Sequence, residues 1–317
     1  MLVIGKLLDR TGVLFIGIAV GATISQAFTY GDSSQPANGQ SNPVAAVPII
    51  PGKGATAPRT CASDVRLSPS LIRAMREVHI IHIGVFGDSF GDGIWAGLYN
   101  DLRPQHDFTV HRFAKQSTGF TRYRSINLLE DARAKLAEQP VDIAVISYGA
   151  NDTQDIYEDG KLMSYMGVEW RAYIGERVRA YIALMQQGGT SVVWVGLPRM
   201  RGAAFDAKVQ QMNAFYADLM CELNVPFINT LQKSVDANGA FTEYLARPGG
   251  GEPIKARAPD GIHMSMTGYR ILISDMTNTI RRFAPADDEA APAAATPPSP
   301  RQPSSQPATG PAASLSH

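Results

Sequence analysis

Val78-His79-Ile80-Ile81-His82-Ile83-Gly84-Val85-Phe86 runs straight into Gly87-Asp88-Ser89-Phe90-Gly91-Asp92. The first stretch is rich in Val and Ile and has the length of a strand buried on both faces. Shorter apolar runs follow at Thr109–Phe113, Val141–Tyr148, Ser191–Leu197 and Pro226–Ile228. Between and after them lie segments with helical spacing: Ile94–Leu102, Ile126–Leu136, Val168–Met185, Val209–Leu223 and Met266–Phe283. Alternating strand and helix predicts an α/β domain, a doubly wound five-stranded parallel sheet with helices on both faces. Ligands of such sheets bind outside the carboxyl ends of the strands. Ser89 follows the first strand and Asn151 follows the third by a few residues, so both fall on that edge.

The flanks are of a different composition. Lys6 and Arg10 precede Val13–Phe28, which is uncharged and ends near the small residues Ser25 and Ala27. A basic segment, a short apolar segment and small residues make the layout of a secretory signal. The apolar run is a little short of the ~20 residues of a spanning helix, although a tilted or snorkelled span would fit. Residues 1–28 are therefore expected to be a signal peptide or an N-terminal membrane anchor, rather than a buried core helix. The positive end would stay in the cytoplasm, leaving the domain periplasmic or anchored to the inner membrane facing the periplasm. Residues 29–61 read as a linker rich in Pro, Gly, Ser, Gln and Ala, and residues 284–317 as a disordered Pro/Ala-rich tail. The expected folded domain spans 62–283.

Lys plus Arg and Asp plus Glu balance at 29 each. With no basic excess, a nucleic-acid partner is not expected. No C-x-x-C or H-E-x-x-H spacing occurs, so neither a metal nor another cofactor is expected. Cys61 and Cys221 are the two cysteines. In an oxidising compartment they could pair and pin the start of the domain to a later helix. Cys221 could equally be a small buried apolar residue. The oligomeric state is not legible.

Four short fragments carry chemistry. Gly87-Asp88-Ser89 places a hydroxyl between a strand and a helix start, where backbone N–H groups can face a developing oxyanion; the same tripeptide could be a turn in which Asp88 or Ser89 caps the helix. Gly119, in Ser117-Thr118-Gly119, could bring its N–H close to a ligand or serve as an ordinary turn residue. In Gly149-Ala150-Asn151-Asp152, the Asn side chain could aim a neutral donor at negative charge, or Asn151 or Asp152 could form an Asx turn. Asp260-Gly261-Ile262-His263 spaces a carboxylate and an imidazole so that one loop can present both, just before a helix begun by Ser265 or Thr267. His79 and His82 fall in the first strand, His106 and His111 before and within the second, and His317 in the tail.

In this order the fragments resemble the four blocks (Ser, Gly, Asn, His) of the SGNH/GDSL hydrolase superfamily. The resemblance covers roughly Val78–Phe283 and extends to a bacterial periplasmic branch with an export signal, linker and Pro/Ala tail. It implies a three-layer α/β/α flavodoxin-like sandwich and serine-dependent ester hydrolysis. Ser89 would be the nucleophile, His263 the general base and then acid, and Asp260 its orienter. The Ser89 N–H, the Gly119 N–H and the Asn151 side chain would form the oxyanion hole. Phe90 stands where the family has Leu, followed by Gly91-Asp92-Gly93 in place of a Ser- or Thr-rich turn. That departure implies an acyl pocket or loop of different shape.

Trp95, Tyr148, Arg199 and Arg201 are the candidate substrate-binding residues, the arginines suiting an anionic or sugar-rich ligand. No long apolar lid separates the blocks, which favours short acyl groups such as acetyl on an envelope polysaccharide or peptidoglycan. The expected activity is thus an exported short-acyl esterase. The alternatives are an O-acyltransferase on envelope glycans using the same residues, and a non-catalytic envelope-tethered binding domain.

Overall fold

The computed structural model describes residues 61–78, 80–247 and 249–284. The expected signal or anchor (1–28), all of the linker (29–61) but Cys61, all of the tail (284–317) but Ala284, and His79 lie outside them. The chain enters through α1 (Pro69–Arg73), capped by the Ser68 side chain and prolonged by a π-helical turn at Ala74–Val78. It then forms β1 (Ile81–Gly87), α2 (Ser89–Leu102), β2 (Phe108–Arg112), α3 (Leu128–Glu138) and β3 (Ile143–Ser147). A hairpin of β4 (Ile156–Glu158) and β5 (Lys161–Met163) precedes α4 (Val168–Gln187), β6 (Ser191–Val195), α5 (Ala203–Glu222) and β7 (Phe227–Ile228). A second small hairpin, β8 (Tyr244–Leu245) and β9 (Ile254–Lys255), leads to α6 (Met266–Arg281).

The central sheet has five strands in the order β2-β1-β3-β6-β7, and every pairing is parallel. Counting its strands along the chain, this is the flavodoxin-like order, in which the path leaves β1 for one side and returns to β3 on the other. The crevice at the carboxyl ends of β1 and β3 is therefore the place where such a sheet opens for a ligand. The three-layer reading and the five-stranded parallel sheet are what the structure shows.

Period-two alternation divides the core in two. Ile81, Ile83, Val85, Ile143, Val145, Val193 and Val195 face α2 and α6. Phe86, Ala144, Ile146, Val192 and Trp194 face the other layer, α3, α4 and α5. Neighbouring residues are thus buried on opposite faces, which is why the strands read as continuous apolar runs.

The differences from the sequence reading lie at element ends and in the small elements. Helix α2 starts at Ser89 rather than Ile94 because Asp88 caps it, and α5 starts at Ala203 rather than Val209. Strand β1 starts at Ile81 because the π-helical turn takes up residues through Val78. Helix α1 and both hairpins were not anticipated, since segments of two to five residues are too short to show a period.

Cys61 and Cys221 form a disulfide with their Cα atoms 4.7 Å apart. Cys221 lies in the last turn of α5 and the bridge spans 160 residues of sequence. Cross-linking so long a loop restricts the unfolded chain strongly, so replacing both cysteines with Ser is expected to cost about 2–5 kcal/mol. Urea denaturation of the oxidised protein and the double variant checks this. Equal midpoints would show that the bridge adds no stability.

Candidate active site

The Asp260 loop is a tight turn. Arg257 and Met264 bridge its two limbs, and the Ala258 N–H donates to the His263 carbonyl at 3.0 Å. Within it Asp260 Oδ1 accepts the N–H groups of Ile262 at 2.9 Å and His263 at 3.0 Å, which fixes the carboxylate. Its Oδ2 lies 2.6 Å from His263 Nδ1. His263 Nε2 lies 2.8 Å from Ser89 Oγ across 174 residues of sequence. A carboxylate at Nδ1 selects the tautomer that carries its proton there, leaving Nε2 to accept from the Ser89 hydroxyl. Partial burial pushes the Asp260 carboxyl up, but hydrogen bonds from His263 and the two backbone N–H groups outweigh it and hold it at about 2. Ser265 then caps α6 by accepting from Gly268 N–H.

On the other wall, Asp88 and Ser89 share the turn after β1. Asp88 Oδ1 caps α2 by accepting the Phe90 N–H at 2.9 Å, so the capping reading and the nucleophile reading hold together. As the first residue of α2, Ser89 has a backbone N–H without an acceptor inside the helix. Gly119 opens the 3₁₀ turn Phe120–Arg122. A Cβ there would stand 2.4 Å from Asp152 Oδ1, so only glycine fits this approach. Asp152 is buried and holds the 3₁₀ turn beyond Gly119, accepting from the Thr121 N–H and hydroxyl at 2.8 Å each. The Asn151 amide donates to the Thr118 carbonyl at 2.9 Å and to Asp88 Oδ2 at 3.3 Å. Ser89, Gly119 and Asn151 are thereby tied to one crevice through Asp88, Asp152 and Thr118.

The four other candidates fare differently. Tyr148 is only 3% exposed and packs with Phe120, Tyr181 and Trp194, so it is a core residue beneath the site with no face for a substrate. Trp95 turns toward β2, donating to the Val110 carbonyl at 3.2 Å and lying under the Arg112 guanidinium, and this holds α2 on the sheet. Arg199 is paired with Asp206 at 3.2 Å. Arg201 is paired with Glu243 and donates to the Pro259 carbonyl, while its N–H donates to the Gly261 carbonyl. It braces the Asp260 loop. His82 on β1 and His111 on the edge strand β2 meet each other at 3.0 Å on the sheet.

Sequence reasoning passed over several residues that build the site. Arg257 is 1% exposed and donates to the carbonyls of Arg199, Ser234 and Ile262; burial lowers its guanidinium to about 10. An arginine in a loop gives no sequence sign of burial. Asp88 and Asp152 were read only as caps or turns, yet both are fully buried. Their adjacency to Ser89 and Asn151 was the available signal. Burial raises Asp152 and pushes Asp88 up to about 7, against the hydrogen bond from Phe90, with Asp152 adding to the rise.

With this geometry in hand, comparison with known proteins identifies the chain's relatives. A family model described as "Protein of unknown function (DUF459)" matches residues 82–279. The chain belongs to the DUF459 family. No curated protein matches it in sequence. Solved structures similar to this DUF459 chain include a lipase/acylhydrolase from Enterococcus faecalis, at 17% identity over 64% of this chain and 96% of that one, with a TM-score of 0.44. A member of the lipolytic G-D-S-L family from Veillonella parvula is 14% identical over 63% of this chain and 98% of that one, with a TM-score of 0.45. The periplasmic domain of a lipopolysaccharide acetyltransferase from Salmonella Paratyphi A is 10% identical over 69% and 91%, with a TM-score of 0.44. In this DUF459 chain the fragments that carry Ser89, Gly119, Asn151 and Asp260–His263 meet in one crevice. Among the described residues no helix is long and apolar enough to cross a membrane, and no cluster of three His, Cys, Asp or Glu could hold a metal.

Asp88 makes stability depend on pH. Folded, it keeps its proton up to about 7, whereas a free carboxyl loses it near 3.8. The folded state therefore binds the extra proton between these values, and stability falls as pH rises through that window. Asn can cap a helix as Asp does, so Asp88→Asn should flatten this part of the stability–pH curve. Urea midpoints measured across the window test it; an unchanged slope would assign the effect to another group.

Proposed function

We propose that the protein is an exported serine esterase that cleaves short acyl esters, acetyl groups on cell-envelope carbohydrate in particular. The carrying observation is the unbroken relay from Ser89 Oγ to His263 Nε2, at 2.8 Å, and on from Nδ1 to Asp260, at 2.6 Å. In this reading Nε2 takes the Ser89 proton as Oγ attacks the ester carbonyl, and Asp260 stabilises the imidazolium that results. The carbonyl oxygen becomes an oxyanion facing the N–H groups of Ser89 and Gly119. The Asn151 amide joins them by giving up its 3.3 Å contact with Asp88 and keeping the 2.9 Å bond to Thr118. The imidazolium then protonates the departing alcohol, leaving an acyl-Ser89. Water, deprotonated by the same Nε2, releases the acid and restores Ser89.

The side chains of His263 and Asp260 are 34% and 39% exposed, which suits an ester carried on a bulky polymer and a small acyl group better than a deeply enclosed chain. The basic and apolar N-terminal residues support export, and the Cys61–Cys221 bridge is of the kind that persists in an oxidising compartment.

The purified protein should be labelled at Ser89 by a fluorophosphonate probe and should hydrolyse p-nitrophenyl acetate. Ser89→Ala should abolish both, and Asp260→Asn should lower kcat by about 10²–10⁴-fold through the wrong imidazole tautomer. Hydrolysis unchanged in Ser89→Ala would refute the reading. If acetylated product appears when an oligosaccharide is added, the same acyl-enzyme serves transfer to a sugar hydroxyl. Absence of labelling would point instead to a binding domain.

A further inference from the structure

The residue after the nucleophile has a place of its own. Phe90 is 1% exposed, so it does not shape an open acyl pocket as its divergence from Leu implied. Its ring lies against the His263 imidazole, with centroids 5.2 Å apart and planes inclined by 26°. The imidazole is held at its two nitrogens by Asp260 and Ser89, yet its side chain is 34% exposed. Two hydrogen bonds restrain the ring in its plane, and the Phe90 face limits its motion out of that plane.

Phe90 is itself held. Its ring meets Tyr269 edge-to-face, at 6.3 Å and 72°. Tyr269 is 5% exposed, and its hydroxyl faces the backbone N–H of Met264, the residue after His263. Tyr269 can lie this near α2 only because position 93 has no side chain. A Cβ on Gly93 would stand 2.0 Å from the Tyr269 ring. Gly93, in the stretch that departs from the family's turn, is thus the slot into which Tyr269 of α6 fits. The stack runs from Gly93 through Tyr269 and Phe90 to His263, and it begins on the helix that carries Ser89.

We propose that Phe90 is a positioning residue for His263: its ring face, set by Tyr269 over Gly93, holds the imidazole in line with Ser89 and favours the imidazolium formed during attack. The proposal rests on the Ser–His–Asp reading above. An aromatic face attracts a cation placed over it, and a base held near its attack geometry gains rate without added substrate affinity. The effect should therefore appear in kcat and leave KM unchanged.

Two variants separate positioning from packing. Phe90→Met nearly conserves volume and removes the ring; pentafluorophenylalanine at position 90 keeps the shape and reverses the quadrupole of the face. With p-nitrophenyl acetate, both should lower kcat by about three- to tenfold with KM within about twofold of the parent. The Tm of the pentafluorophenylalanine protein should match the parent. The low-field proton resonance of His263 Nδ1–H, sharp in the parent, should broaden in Phe90→Met as the ring gains freedom. That resonance reports whether or not the protein is an esterase, so a parent that never reacts at Ser89 would sink the hydrolase reading while leaving this test standing. Should Phe90→Met fail to fold, the isosteric variant still reports. Parent-like kcat and a sharp resonance in both variants would overturn the proposal. So would a loss confined to Phe90→Met that tracks its Tm.

Discussion

Helix α2 begins two residues after β1 ends, and α6 begins three residues after His263; the interface of these two helices sets the distance between Ser89 and the imidazole. The interface is close because α2 presents glycines to it. A Cβ at Gly97 would stand 3.0 Å from Ile273, and one at Gly93 would fall within the Tyr269 ring. Hydrogen-bond reach between residues 174 apart in sequence thus depends on packing tighter than ordinary side chains allow. The sheet supplies the other half of the constraint. Parallel pairing of β1 with β3, in register from Ile83↔Ile143 to Gly87↔Ser147, brings the Ser89 and Asn151 turns side by side at one edge.

Beneath that edge the protein buries two carboxyl groups, Asp88 and Asp152. Burying a charge is costly unless it is paired or hydrogen-bonded, and both groups answer by shifting toward their protonated forms. Their hydrogen bonds run to the backbone or side chains that line the crevice: Phe90, Thr121 and Asn151. These bonds fix the turn that carries Ser89, the turn beyond Gly119 and the Asn151 amide. On the His263 side, Arg257 and Arg201 do comparable work by tying the Asp260 loop to carbonyls of neighbouring segments.

Much of this was legible along the chain. Apolar runs marked all five strands of the central sheet; β3 and β6 are buried on both faces throughout, whereas the edge strand β2 exposes Thr109 and Arg112. Ser89, Gly119, Asn151, Asp260 and His263 stood out as fragments that could carry chemistry or form turns, and the resemblance to the four-block pattern is what joined them. What could not be read was direction. Tyr148 directly follows β3 at the crevice end of the sheet, but its side chain turns into the aromatic core. Trp95, Arg199 and Arg201 lie close in sequence to the functional edge, yet each is committed to a neighbouring carbonyl or carboxylate.

By itself the sequence determined the layer architecture, the strand sequence along the chain and the fragments that carry Ser89, Asn151, Asp260 and His263, because period and turn chemistry are local properties of a chain, whereas the burial of Arg257, Asp88 and Asp152 is not. Tertiary structure alone decided that Ser89, His263 and Asp260 form one relay, that Cys61 meets Cys221, and that Phe90 lies on the imidazole. Each of those contacts except the Asp260–His263 pair joins segments more than 100 residues apart. Such distances are set by how closely helices and strands pack, and no local pattern records them.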